Sequence, residues 1–388
     1  MKKLGISTAF LVLSSLLSSG AGAQTLQPIT IGVLLPQSGI YANLGNALRN
    51  GATLSFQDTQ AEFAKLGFDL KFKNFDDEGS TGTALNKASQ MVSDPSLLIA
   101  IGPATSDSSM IVTPFFLRRD LAVVNPFSII DELTEKGWAN VNRIVPRADT
   151  FTLAEADYVL DEMRAKNITL INNGSKLGIE RMSMMSQHFK DKGAKIFDAI
   201  TIGPDSNFDT IAKGIAKDDP DTVHMAVSQY TVSGAMVNAL RGAGFKGAIF
   251  TSAVLNPAFV KLTGDNYKGL FYVSNITTLN AYPKAVPVID AYRKQFKVEP
   301  LPISLIGYDA MDVALEALKL AIKAGGGKLP SRKDVQDAMK NVSIKGFTGE
   351  ISFSKAGDRL KSPIYVIQVG NDSVGRVVGS IQAAPPKK

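Results

Sequence analysis

Ile29-Thr-Ile-Gly-Val-Leu-Leu35, followed by Pro36-Gln-Ser-Gly39, is the stretch on which the fold turns. An almost unbroken apolar run ended by a turn signal reads as a strand buried on both faces, as in a parallel sheet. Helical spacing takes over at Leu48, Ala52, Ser55 and Phe56. Phe68, Leu70 and Phe72 then alternate as a second strand that ends at Asp76-Asp77-Glu78-Gly79. Leu85, Ala88, Met91 and Val92 mark the next amphipathic helix.

The alternation persists. Leu97–Ile101 reads as strand, Ser106–Arg119 as helix and Leu121–Val124 as strand. Ile168–Ile171, Val223–Val227 and Ala248–Phe250 follow as strands, separated by helices near 178–192, 207–217 and 231–243. Repeated strand–helix units predict an α/β fold, with mostly parallel sheets covered by helices on both faces. The segments exceed what one such sheet uses, so two domains are expected. The last third is more helical, over Lys284–Phe296, Ile303–Ala324 and Arg332–Asn341, with strands at Glu350–Phe353 and Ile364–Val369. Residues 381–388 read as a disordered tail.

The N-terminus predicts where the protein works. Lys2 and Lys3 precede an apolar run from Thr8 to Leu17, which is too short for a membrane span. Ala21-Gly22-Ala23 then supplies a small-x-small cleavage site, so residues 1–23 read as a signal peptide. The chain has no cysteine, which excludes a lipid-anchored lipoprotein, disulfides and thiolate metal sites together. A periplasmic protein held by its core alone is expected.

Catalytic chemistry is scarce. His188 and His224 are the only histidines, and neither has acidic neighbours at zinc-motif spacing. His224 lies inside an apolar strand, where a satisfied core role is expected. Gly242-Ala-Gly244-Phe-Lys-Gly247 matches a dinucleotide fingerprint in letters only. A helix precedes it and a strand follows, the reverse of what pyrophosphate binding needs. Asp76–Glu78 lacks calcium-loop spacing and reads as a solvated strand end. The net charge of +6 is interspersed rather than clustered, so nucleic acid is not an expected partner. No enzyme activity, cofactor or metal is expected.

One segment reads as a binding device. Strand Leu97–Ile101 runs into Gly102-Pro-Ala-Thr-Ser106-Asp-Ser-Ser109, which opens a helix. Uncapped backbone N–H groups and hydroxyls at a helix start attract an anion, or else form a plain N-cap. Its place at the C-terminal end of a parallel strand favours ligand binding.

With these residues in view, the chain resembles the periplasmic solute-binding proteins of branched-chain amino acid ABC importers. The resemblance is carried by Ile29–Gly39 with Tyr41-Ala-Asn-Leu-Gly45, Phe75-Asp-Asp77, Ile101-Gly102 with Ser106, Asn125-Pro126 and Glu132-Leu-Thr134. Phe208-Asp through Ile215, Leu240–Gly244, Gly307-Tyr-Asp309 and Phe347–Phe353 continue it. It implies two α/β lobes joined by three crossings, near Arg147, Asn275 and Ser354. Lobe 1 is expected at 28–147 plus 276–353, and lobe 2 at 148–275 plus 354–380. The resemblance further implies a monomer that captures a small carboxylate or amino-acid ligand and delivers it to an inner-membrane ABC permease. A ligand-sensing receptor module of the same fold, acting with a separate signalling partner, is the alternative.

By the same resemblance, Ser106 and the N–H groups following it receive a ligand carboxylate, with Ala104, Thr105, Phe127, Ser128 and Ile129 also at the site. Tyr41 or Leu44 joins from the first loop, and Leu177, Gln229 or Tyr230, and Ser252 from the second lobe. Three positions depart from the family. Ile129 stands where a threonine is usual, and Ser252 where a carboxylate receives the ligand's ammonium. Leu177 replaces an aromatic. A carboxylate without an amino group is therefore a live ligand class, unless Glu180 or Asp205 substitutes.

Overall fold

The computed structural model describes residues 26–385 with the exceptions of 228, 256 and 373. The expected signal peptide and the last three residues of the expected tail lie outside the described residues. Two separate sheets organise the chain. The first has five parallel strands in the order β2-β1-β3-β4-β5. These are β1 Gln27–Leu35, β2 Phe68–Asp76, β3 Leu97–Ile101, β4 Ala122–Asn125 and β5 Val141–Arg143. Helices α1 Ala42–Lys65, α2 Thr81–Ser93, α3 Ser106–Leu117 and α4 Glu132–Glu135 lie between them in sequence.

The second sheet begins after α5 Ala148–Asp161. Strands β6 Asn167–Asn172, β7 Lys195–Thr201, β8 Thr222–Ala226, β9 Ala248–Thr251 and β10 Phe271–Ser274 alternate with α6 Lys176–Asp191, α7 Phe208–Asp218, α8 Tyr230–Gly242 and α9 Pro257–Thr263. The chain then returns to the first unit as α10 Val286–Phe296, α11 Ile303–Ala324, α12 Arg332–Ala338 and the hairpin β11 Ser343–Gly346 with β12 Gly349–Ser352. It ends in the second sheet with β13 Ser362–Val369 and β14 Gly375–Ala383, giving the order β14-β13-β10-β9-β8-β6-β7. In this second sheet β13 pairs antiparallel with both β10 and β14, and the other described pairings are parallel.

The unbroken apolar character of β1 follows from burial on both faces. Ile29, Ile31, Val33 and Leu35 join the core formed with α1 and α11, whereas Leu34 joins the core under α2 and α3. Helices α1 and α11 cross at van der Waals limits. A Cβ on Gly51 would stand 1.8 Å from the Ser304 carbonyl, and one on Gly307 would stand 1.9 Å from that of Leu48. These glycines let the late helix α11 seat on the first sheet. The second sheet has its own cores, one around Val223, Met236, Val237 and Ile249, the other around Ile168, Leu170, Met185 and Phe189.

Several sequence expectations need correction. The tail does not begin at 381: β14 continues through Ala383, which pairs with Ser362, and Ile381 packs against the core beside Val366. An edge strand with Gly375, Gly379 and Ser380 has little hydrophobic alternation, and its pairing to β13 supplies what its sequence lacks. The same weakness hid β7, which is mostly exposed. Asp77 is fully buried rather than solvated at the end of β2, and burial raises its carboxyl pKa to about 6. Its neighbour Asp76 accepts the Gln37 and Ser38 amides at 2.7 and 3.3 Å and so pins the loop after β1.

Candidate functional site

Strand β3 is buried throughout and stops at Gly102. There the chain adopts φ +100, and a Cβ would fall 2.0 Å from the Leu34 carbonyl, so only glycine allows this turn beside β1. Ala104 is buried, Thr105 is the N-cap of α3 and Ser106 is its first residue. Thr105 keeps an extended conformation but its side chain makes no capping bond, and its Oγ1 is buried without a partner. Ser109, one turn in, donates its hydroxyl back to the Thr105 carbonyl at 2.8 Å. The first turn of α3 therefore presents N–H groups that Thr105 does not cap, the arrangement that suits an anion.

The next strand end is tied to this one by a buried amide. Asn125, the last residue of β4, donates to the Pro103 carbonyl at 2.8 Å and to the Ser109 hydroxyl at 2.9 Å. Its Oδ1 accepts the Ser128 amide at 2.8 Å and the Phe127 amide at 3.3 Å. Ser128 Oγ then donates to Ser106 Oγ across 3.2 Å. Ala104–Ser106 and Phe127–Ser128 thus form one assembly. Ile129 and Phe127 pack partly buried against the first core, as does Leu44 from the start of α1. Tyr41, just before α1, is exposed and lies across Gly79.

The second sheet presents its own strand ends. Asn173, following β6, donates to Gln229 Oε1 at 2.8 Å and accepts the Ser175 hydroxyl at 2.6 Å. Ser175 caps α6 by accepting the Gly178 amide at 3.1 Å, and Leu177 is the second residue of that helix. Gln229 is the N-cap of α8 and Tyr230 its first residue, both exposed. Ser252 is exposed directly after β9. Every sequence-predicted site residue therefore sits in a loop or helix start at the C-terminal end of a parallel strand.

Glu180 and Asp205, the acids that the sequence offered as ammonium partners, lie on other connections of the second sheet than Ser252. Asp205 lies in the loop after β7, and β7 stands three strands from β9 in the sheet. Glu180 is exposed on α6, which follows β6, two strands from β9. Near Ile129, the carboxyl of Asp131 has its pKa raised to about 6, first by burial and then by Asp149. It already accepts the Asp149 amide at 3.2 Å and faces Arg147 at 3.5 Å. That acid belongs to the protein's own charges.

Sequence reasoning missed Asn125 and Asn173 as organisers of the two sides. Each is an asparagine at or just past a strand end, where its amide reaches the neighbouring loop. The core reading of His224 holds. His224 is fully buried between Glu155 at 2.7 Å and Thr222 at 3.0 Å and stacks on Phe250, while His188 meets Asp157 at 2.7 Å. The glycine triplet at 242–247 connects α8 to β9 and faces no helix start of the dinucleotide kind.

Known proteins share this fold. The chain is 25% identical to the Leu/Ile/Val-binding protein homolog 3 of Brucella melitensis, over 94% of this chain and 98% of that one. A leucine-binding protein, LivK, from Thermotoga maritima superposes with a TM-score of 0.76 at 20% identity, covering 91% of this chain and 98% of its own. An ABC-transporter solute-binding protein from R. palustris, solved with benzoate, superposes with a TM-score of 0.74 at 21% identity over 93% and 98%. Residues 28–373 match the model of a family described as periplasmic binding protein, and the chain belongs to that family.

Proposed function

We propose that this protein is the extracytoplasmic ligand-capturing component of an ABC importer, and that its ligand is a small amphipathic carboxylate lacking an α-amino group. The uncapped start of α3, with Ser106 and Ser128, supplies the anion end. The ligand class is inferred from Ile129 and Ser252, which stand where the resemblance puts the ammonium's oxygen partners, and is supported by Asp131, the acid beside Ile129 in sequence, already facing Arg147. An ammonium buried without an oxygen partner opposes binding, whereas an apolar tail against Phe127, Ile129 and Leu177 contributes roughly 25 cal/mol per Å². A family neighbour that holds benzoate supports an organic-acid ligand.

In this reading the lobes are 28–147 plus 276–353 and 148–275 plus the C-terminal strands. The ligand is held between them, without turnover, by a monomer that hands it to a membrane permease. Among the described residues no helix is long and apolar enough to cross a membrane. Export removes residues 1–23, and intact mass of the extracytoplasmic protein should begin at Gln24.

Paired calorimetric titrations test the ligand class. Leucine against 4-methylpentanoate, and phenylalanine against 3-phenylpropanoate, should bind with the desamino acid at least as tight as its partner. A tenfold preference for the amino acids would overturn the reading.

A further inference from the structure

Behind the 127–130 loop lies a buried charge network that ligand contact does not explain. Arg143, at the end of β5, is fully buried. Its Nη2 donates to Asp358 Oδ1 at 2.6 Å and to Thr134 Oγ1 at 2.7 Å, and Thr134 in turn donates to the same Asp358 oxygen at 2.9 Å. Its Nη1 donates to the carbonyls of Ile130 at 2.6 Å and Ser128 at 3.4 Å. Ile129, between them, has its carbonyl taken by the Ala148 amide at 2.8 Å.

These partners belong to three separate parts of the chain. Ala148 and Arg147 lie where the chain leaves the first sheet for α5 and β6. Asp358 lies between β12 and β13, where it leaves for the second sheet again. Arg147 continues the network, with Asp149 at 2.6 Å, Glu135 at 2.5 Å and Asp358 at 3.5 Å. The Arg143 amide donates to the Gly357 carbonyl at 2.8 Å, so backbone and side chain make the same join.

We propose that Arg143, Thr134 and Asp358 form a joint that ties the 128–130 loop to both of these crossings and holds the angle between the lobes. A planar guanidinium with its donors in a fixed fork locks the three parts in one geometry, which a flexible lysine could not do. Because the loop's carbonyls are bonded to the joint, rotation about the crossings shifts the loop, and the loop's position biases the rotation. Arg143 acts on the ligand as a positioning residue. The proposal rests on the two-sheet architecture and is independent of which ligand binds.

The absence of native cysteine makes the test clean. Spin labels at Ser89→Cys on α2 and Lys213→Cys on α7, both exposed, report the distance between lobes in the ligand-free protein. Thr134→Val removes the bridging hydroxyl at nearly constant volume, Thr134→Ser keeps it, and Asp358→Asn removes the charge. Met236→Ala, in the far core of the second sheet, serves as a control for lost stability. We expect Thr134→Val and Asp358→Asn to broaden the distance distribution and to speed amide exchange at residues 127–131 about tenfold. Thr134→Ser and Met236→Ala should match the parent in both. Unchanged distances or unchanged exchange in Thr134→Val would overturn the proposal, as would equal broadening in Met236→Ala. Where Asp358→Asn fails to fold, the two Thr134 variants decide.

Discussion

Ser106 accepts a hydrogen bond from Ser128 across 3.2 Å, which leaves the Ser106 proton free for an incoming oxygen. Its position on the first turn of α3 adds backbone N–H groups to the same face. Ser106→Ala should therefore weaken carboxylate binding by about 1.5–3 kcal/mol, the range for a hydrogen bond to a charged group. Calorimetry on the tightest ligand of the paired panel measures this. Esterifying that ligand should cause a similar loss, and intact affinity after both changes would remove the anion site from the account.

Asn125 joins the two loops that carry Ser106 and Ser128. Asn125→Ala strands the buried Ser128 amide and leaves the Pro103 carbonyl only its 3.1 Å bond from the Ser109 hydroxyl, at a cost of about 1–3 kcal/mol in stability. Asn125→Asp keeps the acceptor for Ser128 but loses the donor to Pro103. Both variants should lower the urea midpoint and weaken ligand binding, because the two hydroxyls lose their shared support.

Stability should depend on pH through Asp312. Its pKa is raised from near 3.8 to about 7, first by burial, against the Ser55 hydroxyl bond that lowers it, with Asp309 nearby raising it further. Between those values the folded protein holds a proton that the unfolded chain has released. Raising the pH through this window therefore disfavours the folded state, by at most ~1.4 kcal/mol per pH unit. The contribution is fully present below the unfolded value and lost above pH 7. Urea unfolding from pH 4 to 8 should show this slope, and Asp312→Asn should flatten it while keeping an acceptor for Ser55.

Ligand should draw the lobes together. The groups expected to meet it come from strand ends of two separate sheets, and a ligand touching both favours the closed arrangement by its differential contacts alone. Small-angle scattering should record a smaller radius of gyration on saturation. An unchanged radius with confirmed binding would place the site in one lobe.

What the sequence determined by itself was the local and repetitive part: the strand–helix alternation, the buried run of β1, and the strand-to-helix loop at Gly102–Ser106. These are visible because hydrophobic period and turn chemistry are properties of neighbouring residues. The asparagine braces, the strand β14 and the joint behind the ligand loop were decided only by tertiary structure. Arg143 and Asp358 are 215 positions apart, and nothing near either residue names the other. They meet because the chain leaves the first sheet, builds the second, returns as α10 to β12, and leaves again. A buried arginine is tolerated on β5 because the β4–β5 connection supplies the Thr134 hydroxyl and the Ile130 carbonyl, while the last passage delivers the Asp358 carboxylate that completes the set.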